Sequence, residues 1–432
     1  MKKKKSNNSN EKEINLINKK RKRIKKNEQM FIFSKNIVSD SFIELGTDNT
    51  FCAFKATNNI FYIVYPNKNY SLIMFDIIND KKISEIKDAH KGPITIIEHI
   101  ISVEYGTIKK KDLIMSMSSK ENNIKIWNLD FGCLLNLEKN NKNIYLNVTC
   151  FLNNIYNDIL IVRSGNKNMP IKIYDLEGIL IKDINNSNFS INVLCSFKKK
   201  IKYKIKKKTI IVIKIIFVII NKIKKYYNKN KSLDKENNKK DSFISSKNID
   251  IKNINMNASK INNDIISNNK QKYKFKFYDN TYIIAVNNNE IRSYDYDSNT
   301  LYNIYTTKIK QRINSICINE NEEANITKLI GVCDKGYILI WDFDNSTLIN
   351  QIQVYNGNLY GICILNNEYL CFGHNKNINI INLNDKEINI LKPNHNKTVI
   401  SIQKINHPIL GECLISQGDN TSNIKLWIKK ND

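Results

Sequence analysis

Short runs in which apolar and polar residues alternate recur along the whole chain. In seven places, β-branched and aromatic residues alternate with polar ones and lead to a large apolar residue, which Asp or Asn follows in six of them. Alternation with a period of two predicts β-strands that have one buried face. The large apolar residues are Phe75, Trp127, Tyr174, Tyr294, Trp341, Ile381 and Trp427.

The spacing of these residues predicts repeated units of similar length. Successive spacings are 52, 47, 120, 47, 40 and 46 residues, so one interval is far longer than the others. Leaving out the basic segment 198–276 shortens that interval to 41 residues. A fixed period in this range is typical of repeat architectures. We therefore expect seven units, one of which is interrupted.

Each unit contains the elements of a small sheet. An alternating run, a second apolar run, the run that leads to the large apolar residue and a short closing strand follow one another, with Gly, Asn and Asp in the turns. Turn residues between short alternating runs favour strands over helices. We find no amphipathic helical pattern inside the units, so we predict an all-β fold.

A period of about 40 to 45 residues with four strands and a Trp-Asp dipeptide, as at Trp341-Asp342, resembles the WD-repeat family. The resemblance covers residues 30–432 apart from 198–276. It implies a seven-bladed β-propeller of four-stranded antiparallel blades around a central channel. The stretches DILIVRSGNKNMPIKIYDLEG and GECLISQGDN also resemble the G-protein-β-like WD-repeat proteins, which assist chaperone and chromatin complexes.

The last unit lacks its fourth strand, because few residues follow Trp427. An incomplete blade would leave an exposed sheet edge and an open ring. Propellers of this family commonly close by taking the missing strand from the N-terminus. Segment 30–38 is the alternating apolar run before the first unit, so we predict that it pairs beside residues 424–428.

The resemblance also implies a set of structural residues. WD repeats often contain a buried hydrogen-bonded chain of His, Ser or Thr, Asp and Trp, and such a network is stabilising when every member is paired. In the second unit, Glu121 stands where Asp is usual, and the fifth unit has no matching His. The residues assigned to the pattern are His90, Ser119, Trp127, Asp175, Asp295, Asp334, Trp341, Asp342, His395, Ser416, Asp419 and Trp427.

The same residue types could also form a hydrolytic triad, but the sequence opposes this interpretation. It contains no GxSxG motif, no phosphate-binding Gly-rich loop, and no His spacing typical of zinc ligands. His374 is predicted to face solvent in a turn between strands. We predict a non-enzymatic protein with no catalytic residue, no cofactor and no metal site.

The net charge of +27 is concentrated in two segments. Residues 1–30 contain 12 Lys/Arg and 3 Asp/Glu, residues 198–276 contain 24 and 5, and the remainder has a net charge of −1. Such basic segments attract nucleic acids and anionic membranes. The abundance of Lys, Asn and Ile is equally typical of an AT-rich coding bias.

Residues 1–29 are predicted to be a disordered basic tail. Their basic run is either a nuclear-localisation or nucleic-acid-contacting arm, or a solvated tail produced by coding bias. The run consists of Lys19, Lys20, Arg21, Lys22, Arg23, Lys25 and Lys26.

The second basic segment, 198–276, is predicted to interrupt blade four between a first strand at 191–197 and a second strand at 281–287. Its apolar run 209–220 is shorter than the roughly 20 residues of a membrane-spanning helix. Three interpretations are open for this run: a membrane-surface or partner-binding segment, a local hairpin, or the translation of an intron retained in the gene model.

Nine cysteines occur without any CxxC pair, and most of them stand among apolar residues. This pattern predicts buried free thiols in a reducing compartment. The charged N-terminal stretch has no apolar segment behind it and so does not resemble a secretory signal. We expect an intracellular protein, in the nucleus or the cytoplasm, with the nucleus favoured by the basic run.

The function that follows is a scaffold for protein–protein interactions within a multiprotein complex, because propellers hold variable loops on rigid strands. One alternative is a nucleic-acid-associated propeller of an RNA-processing or chromatin complex that uses the basic tail. Another is a G-protein-β-like subunit that assists chaperone or chromatin complexes. The candidate contact loops are 87–93, 139–143, 306–312, 354–358 and 392–398.

Overall fold

The computed structural model describes residues 30–38, 51–206 and 273–430, apart from short gaps at 68, 104–109, 119, 122, 138–145, 155–156, 166–168, 186–188, 308–309, 322–323 and 420–423. The described residues fall into two compact units. One is formed by residues of Met1–Lys199 and Asn280–Asp432, and the other by residues of Lys200–Asp279.

Seven four-stranded antiparallel sheets form a ring, which confirms the predicted all-β, seven-bladed fold. Each sheet is one blade, and its strands follow one another in sequence from the inside to the outside of the ring, apart from the last blade. Among the described residues, the helical content is a single three-residue 3₁₀ turn at Asp334–Gly336.

The strands of blade one are β2 (Cys52–Lys55), β3 (Phe61–Pro66), β4 (Leu72–Asp76) and β5 (Lys81–Ile86). Those of blade two are β6 (Ile94–Val103), β7 (Lys110–Ser118), β8 (Asn123–Trp127) and β9 (Cys133–Leu137). Those of blade three are β10 (Leu146–Asn153), β11 (Ile159–Gly165), β12 (Ile171–Tyr174) and β13 (Leu180–Ile184).

Blade four contains β14 (Val193–Lys206), β15 (Tyr273–Val286), β16 (Glu290–Asp295) and β17 (Thr300–Thr306). Blade five contains β18 (Ile313–Asn321), β19 (Ile326–Cys333), β20 (Tyr337–Asp342) and β21 (Leu348–Gln353). Blade six contains β22 (Leu359–Ile364), β23 (Tyr369–His374), β24 (Asn377–Asn382) and β25 (Ile388–Leu391). Blade seven contains β26 (Val399–His407), β27 (Gly411–Gly418), β28 (Ile424–Lys429) and β1 (Phe31–Val38).

The ring closes through the N-terminal strand, as predicted. Strand β1 pairs antiparallel with β28, from Phe31 opposite Lys429 to Val38 opposite Ile424. Phe31 is fully buried, and Phe33 meets Trp427 edge to face with ring centroids 5.7 Å apart. The first strand in the sequence therefore completes the sheet that contains the last three strands.

The hydrophobic core is divided into layers between neighbouring blades. One layer joins Ile63 of blade one with Ile415 and Leu426 of blade seven, and another joins Val64 of blade one with Trp127 of blade two. Each blade therefore buries its apolar faces against its two neighbours, as in other repeat proteins. The stability of any blade consequently depends on a closed ring.

The first two strands of blade four are longer than predicted. Strand β14 continues to Lys206 and β15 begins at Tyr273. The added stretches KKIKYKIK and YKFKFY alternate Lys with Ile, Tyr or Phe, and such alternation favours extended strands. Residues 207–272 and 1–29 lie outside the described residues, so the interpretations of the insertion and of the basic tail stay predictions.

Candidate interaction site

A buried serine hydroxyl links three elements of blade two. The Oγ atom of Ser116 lies 2.8 Å from His90 Nε2, and Trp127 Nε1 donates to the same oxygen at 2.8 Å. Glu121 Oε2 lies 3.1 Å from His90 Nδ1, and Glu121 Oε1 accepts the backbone N–H of Lys91 at 2.7 Å. The chain of hydrogen bonds fixes the loop before the first strand against the second and third strands.

The serine of this network differs from the one assigned by sequence. Ser119 lies outside the described residues, and the hydroxyl shared by His90 and Trp127 belongs to Ser116 on β7. The sequence does contain a signal for it. Ser116 precedes Trp127 by 11 residues, as Ser416 precedes Trp427 by 11 in blade seven.

Blade seven contains the matching arrangement. The Oγ atom of Ser416 lies 2.8 Å from His395 Nε2 and accepts Trp427 Nε1 at 2.8 Å. The backbone N–H of Asp419 donates to the Thr398 carbonyl at 2.6 Å, which joins its turn to the loop that carries His395. The structure thus brings together His395, Ser416 and Trp427, and holds Asp419 nearby through its backbone.

In blade five, the structure separates Asp334 from Trp341, and the third assigned residue, Asp342, caps a hairpin. Trp341 Nε1 donates to the Thr306 carbonyl at 3.2 Å, whereas Asp334 Oδ1 accepts Asn314 Nδ2 at 2.9 Å. Asn314 Nδ2 also donates to the carbonyl of Leu359, the first residue of the next blade's innermost strand, at 2.9 Å. Here an amide side chain connects two blades, and the Trp is fixed independently of it.

The Asp or Asn that follows the large apolar residue caps a hairpin. Its Oδ1 accepts a backbone N–H from the turn between the third and fourth strands at 2.7 to 2.9 Å. Such Asx turns are typical of short polar side chains. The capping residues are Asp76, Asn128, Asp175, Asp295, Asp342 and Asn382. In blade seven Ile428 takes this position, because β28 has no hairpin to its outer neighbour, which is the N-terminal β1.

Replacing Ser416 by Ala is expected to lower the free energy of unfolding by about 2 kcal/mol. The change removes the oxygen that His395 and Trp427 share, and an unpaired buried polar group costs roughly 1–3 kcal/mol. Urea unfolding followed by tryptophan fluorescence would measure the loss. Ser34→Ala, at an exposed position on β1, is the matched control and should have no measurable effect. Equal midpoints for the two variants would contradict the assignment.

The two buried histidines should make the protein sensitive to mild acid. Burial and the nearby Lys425 charge lower the pKa of His395 to about 3, and burial lowers the pKa of His90 to about 4 against the opposing effect of Glu121. An unfolded His titrates near 6.5. Below that pH the unfolded chain binds protons that the folded chain does not, so stability falls as pH falls from about 6.5 towards the folded values.

We expect His395 alone to contribute about 2 kcal/mol of this loss between pH 7.5 and pH 5. The measurement is the urea midpoint as a function of pH for the wild type and for His395→Gln, which cannot titrate. The variant should be less stable at neutral pH but should lose less stability on acidification. Parallel pH profiles would show that His395 is not held in its neutral form.

His374 was predicted to face solvent, and the structure corrects this. The residue ends β23, is buried, and stacks on Tyr355 with ring centroids 4.2 Å apart and planes 4° apart. Its Nδ1 lies 3.3 Å from the Asn358 carbonyl. The loop that leads into blade six supplies both partners and covers a turn that would otherwise be exposed.

A buried carboxylate between blades one and two was missed by the sequence analysis. Asp112 on β7 accepts the backbone N–H of Thr57 at 3.0 Å, the Thr57 hydroxyl at 2.5 Å and His99 Nε2 at 2.8 Å. The His99 ring stacks on Phe54 of blade one at 3.7 Å. Burial lowers the pKa of His99. No motif marks Asp112, which stands in a lysine-rich stretch.

Two polar side chains on innermost strands tie neighbouring blades together in the same way. Glu98 of blade two accepts the backbone N–H of Phe151 in blade three, and Gln403 of blade seven accepts that of Ala53 in blade one, each at 2.9 Å. Burial raises the pKa of Glu98 to about 7 against the effect of its hydrogen bond from Phe151. The second contact lies at the ring closure.

The cysteines are free, and most of them are buried or half-buried, but Cys133 is exposed on the outer strand of blade two. Burial, together with the nearby Glu98 charge, raises the pKa of Cys52 and of Cys195 to about 12. Within the described part of the chain, no group of three or more His, Cys, Asp and Glu side chains is arranged to hold a metal ion.

The connections between strands alternate between two faces of the ring, because neighbouring strands in a blade are antiparallel. The entry face carries the loops from one blade to the next and the turns between second and third strands. The hairpin face carries the hairpins between third and fourth strands. All five loops predicted for partner contacts connect one blade to the next and so belong to the entry face, although 139–143 lies outside the described residues.

Hydrogen bonds join these loops to the neighbouring turns. The backbone N–H of Asp334 donates to the Arg312 carbonyl at 3.0 Å, and that of His395 donates to the Lys376 carbonyl at 2.8 Å. The N–H of Val354 donates to the Gly336 carbonyl at 2.8 Å. The described parts of loops 306–312, 354–358 and 392–398 are therefore held against neighbouring turns of the scaffold.

No protein-family profile matches this chain, and no curated protein gives a significant match. A crystal structure of BBS1N in complex with ARL6DN is similar to it, with a TM-score of 0.58 and 8% identity over 94% of this chain and 98% of that one. Raptor from Chaetomium thermophilum is also similar, with a TM-score of 0.55 and 12% identity over 93% of this chain and 30% of that one. At these identities the likeness shows the fold alone, and with the seven sheets it defines the chain as a seven-bladed β-propeller protein.

Over the part of the chain that the structure describes, no helix is long and apolar enough to cross a membrane. The apolar run 209–220 lies outside that part.

Proposed function

We propose that the protein is a non-enzymatic WD-repeat scaffold that holds other proteins in a multiprotein complex through the entry face. The observation that carries this proposal is the set of hydrogen bonds that fixes the blade-connecting loops to neighbouring turns, as between His395 and Lys376. Loops that are already ordered lose little conformational freedom on binding, so more of the contact energy is available for affinity. Such a surface suits recognition of a protein.

The chemistry of the blade networks supports a non-enzymatic role. Ser416 is fully buried, and its hydroxyl accepts Trp427 Nε1 beside His395. A nucleophilic serine has to reach a substrate, and a hydroxyl held between two buried rings cannot do so. The same residues that a hydrolytic triad would need are thus assigned to holding the blade together.

The likeness to BBS1N is compatible with this function, since that propeller was crystallised with a second protein, ARL6DN. The likeness gives no partner for this chain. The proposal therefore concerns the type of function, and the partner has to be found by experiment.

Affinity purification of the tagged full-length chain, with nuclease present, tests the proposal. We expect at least one protein to be recovered in near-stoichiometric amount, and recovery to persist when residues 1–28 are deleted. Loss of the partner on that deletion, or on nuclease treatment, would favour the nucleic-acid-associated alternative. Recovery of no stoichiometric protein would contradict the scaffold function.

A further inference from the structure

The entry face carries most of the exposed positive charge in the loops of the described propeller. Its cations are all exposed and come from the loops that connect blades and from the turns between second and third strands. They are Lys87, Lys91, Lys120, Lys310, Arg312, Lys335, Lys376, Lys392 and Lys397.

The described loops and turns of the same face also carry four carboxylates, Asp88, Glu121, Asp334 and Asp419, which are outnumbered by the nine cations. Glu121 is bound to His90 and to the backbone of Lys91, and Asp334 is bound to the amide of Asn314. Glu121 and Asp334 are therefore used by neutral donors of the blade networks. The entry face keeps an excess of positive charge.

The hairpins between third and fourth strands, on the other side of the ring, are mainly acidic, although Asp80 and Asp344 form ion pairs with Lys35 and Lys199. The hairpins between third and fourth strands carry many carboxylates and one lysine, Lys386. Several of these carboxylates cap their hairpins, so their position follows from the fold. They are Asp76, Asp80, Asp130, Asp175, Glu177, Asp295, Asp297, Asp342, Asp344, Asp385 and Glu387. Among the described loops, those of the entry face carry mainly cations and the hairpins between third and fourth strands carry mainly carboxylates.

We propose that the entry face binds an acidic, extended segment of a partner protein. This inference rests on the proposed scaffold function and specifies the chemistry of the partner. Complementary charge steers association and selects among partners more than it adds affinity. A segment rich in Asp and Glu would meet lysines from several blades at once, on loops that are already fixed.

The amide side chains between the cations favour a peptide over a nucleic acid. Asparagine donates and accepts hydrogen bonds, which matches the alternating N–H and C=O groups of an extended peptide, whereas a phosphodiester backbone offers acceptors alone. The exposed asparagines described on this face are Asn69, Asn185, Asn288, Asn289, Asn356, Asn358, Asn375, Asn394 and Asn396. In addition, the group contains one Arg, the residue that binds phosphate in a bidentate manner, among eight Lys.

Fluorescence anisotropy with a labelled peptide of alternating Glu and Ser tests the proposal on the full-length chain. The test variant reverses three charges of the entry face, Arg312→Glu, Lys335→Glu and Lys376→Glu. The matched control reverses three exposed charges on the hairpin side, Lys81→Glu, Lys110→Glu and Lys386→Glu. Both variants keep the basic segments 1–30 and 198–276 and have the same net charge, so non-specific attraction is equal.

We expect the entry-face variant to bind the peptide at least about 10-fold more weakly at moderate salt, and the control to stay within about 2-fold of wild type. Equal effects of the two variants, or no effect of either, would overturn the proposal. Binding of a single-stranded oligonucleotide that is lost in the same variant, with no peptide binding, would assign the face to nucleic acid. Unchanged melting temperatures show that the variants are folded.

The outcome is separable from that of the scaffold function. If purification recovers the same partner with wild type and with the entry-face variant, the scaffold function stands. The proposal that the entry face binds an acidic segment of that partner is then wrong. If no partner is recovered with either, the scaffold function itself fails, whatever the peptide does.

Discussion

Deleting residues 30–38 is expected to open the ring and to lower the stability by more than about 5 kcal/mol. The deletion removes the buried Phe31 and Ile37, the contact of Phe33 with Trp427, and every strand hydrogen bond on the outer side of β28. Losing one large buried side chain costs roughly 3–5 kcal/mol. The exposed edge of β28 would also promote aggregation.

Differential scanning fluorimetry and size-exclusion chromatography would measure this effect. The control deletion, residues 1–28, leaves β1 intact and should not change the melting temperature. A pair of point variants separates side-chain packing from pairing. Phe31→Ala should cost about 3–5 kcal/mol, whereas Ile32→Ala, whose side chain is 46% exposed on the same strand, should cost less than about 1 kcal/mol. An unchanged melting temperature after removal of 30–38 would mean that the ring closes in another way.

Replacing Asp112 by Ala is expected to lower the free energy of unfolding by about 3 kcal/mol. The carboxylate accepts three donors from two blades, and the side chain of Asp112 is fully buried. Removing it leaves His99 Nε2 without an acceptor inside the protein, beside the stacked Phe54 ring. A buried donor left unpaired costs roughly 1–3 kcal/mol, and the contacts of Thr57 are lost as well.

The urea midpoint of Asp112→Ala, compared with that of Asp130→Ala at an exposed position, tests this contact. Asp112→Asn should fall between wild type and Asp112→Ala, because one oxygen remains as an acceptor. If the urea midpoint of Asp112→Ala equalled that of Asp130→Ala, the contact of Asp112 between blades one and two would contribute nothing to stability. The effect should also add to that of Ser416→Ala, since the two sites lie in different blade interfaces.

The capping residues show why much of the fold could be predicted. Asp342 has equivalents in five other blades because each hairpin between the third and fourth strands needs an acceptor at its first position, and this need is local to a few residues. Ile428 departs from the pattern for the same reason, since the strand beside β28 is not joined to it by a hairpin. Local requirements recur in every unit and leave a period in the sequence.

The candidate site was predicted less completely, because its residues meet across large sequence separations. Gln403 contacts Ala53 across the ring closure, and Asp112 contacts Thr57 across a blade interface. Neither pair has a fixed spacing or a motif. His374 was placed in solvent because its covering residue, Tyr355, comes from a different loop. Ser116 was missed although its spacing to Trp127 equals that of Ser416 to Trp427.

The sequence by itself determined the number of blades and the order of their strands, because these depend on short-range alternation of apolar and polar residues. It also determined the closure by segment 30–38, because the last blade lacks a strand that another segment has to supply. The tertiary structure decided which polar groups join the blades and how charge is divided between the two faces. Those properties depend on which loops the antiparallel strands bring to the same end of the ring. The near-neutral composition of the propeller does not indicate how its charged residues are distributed between the two faces.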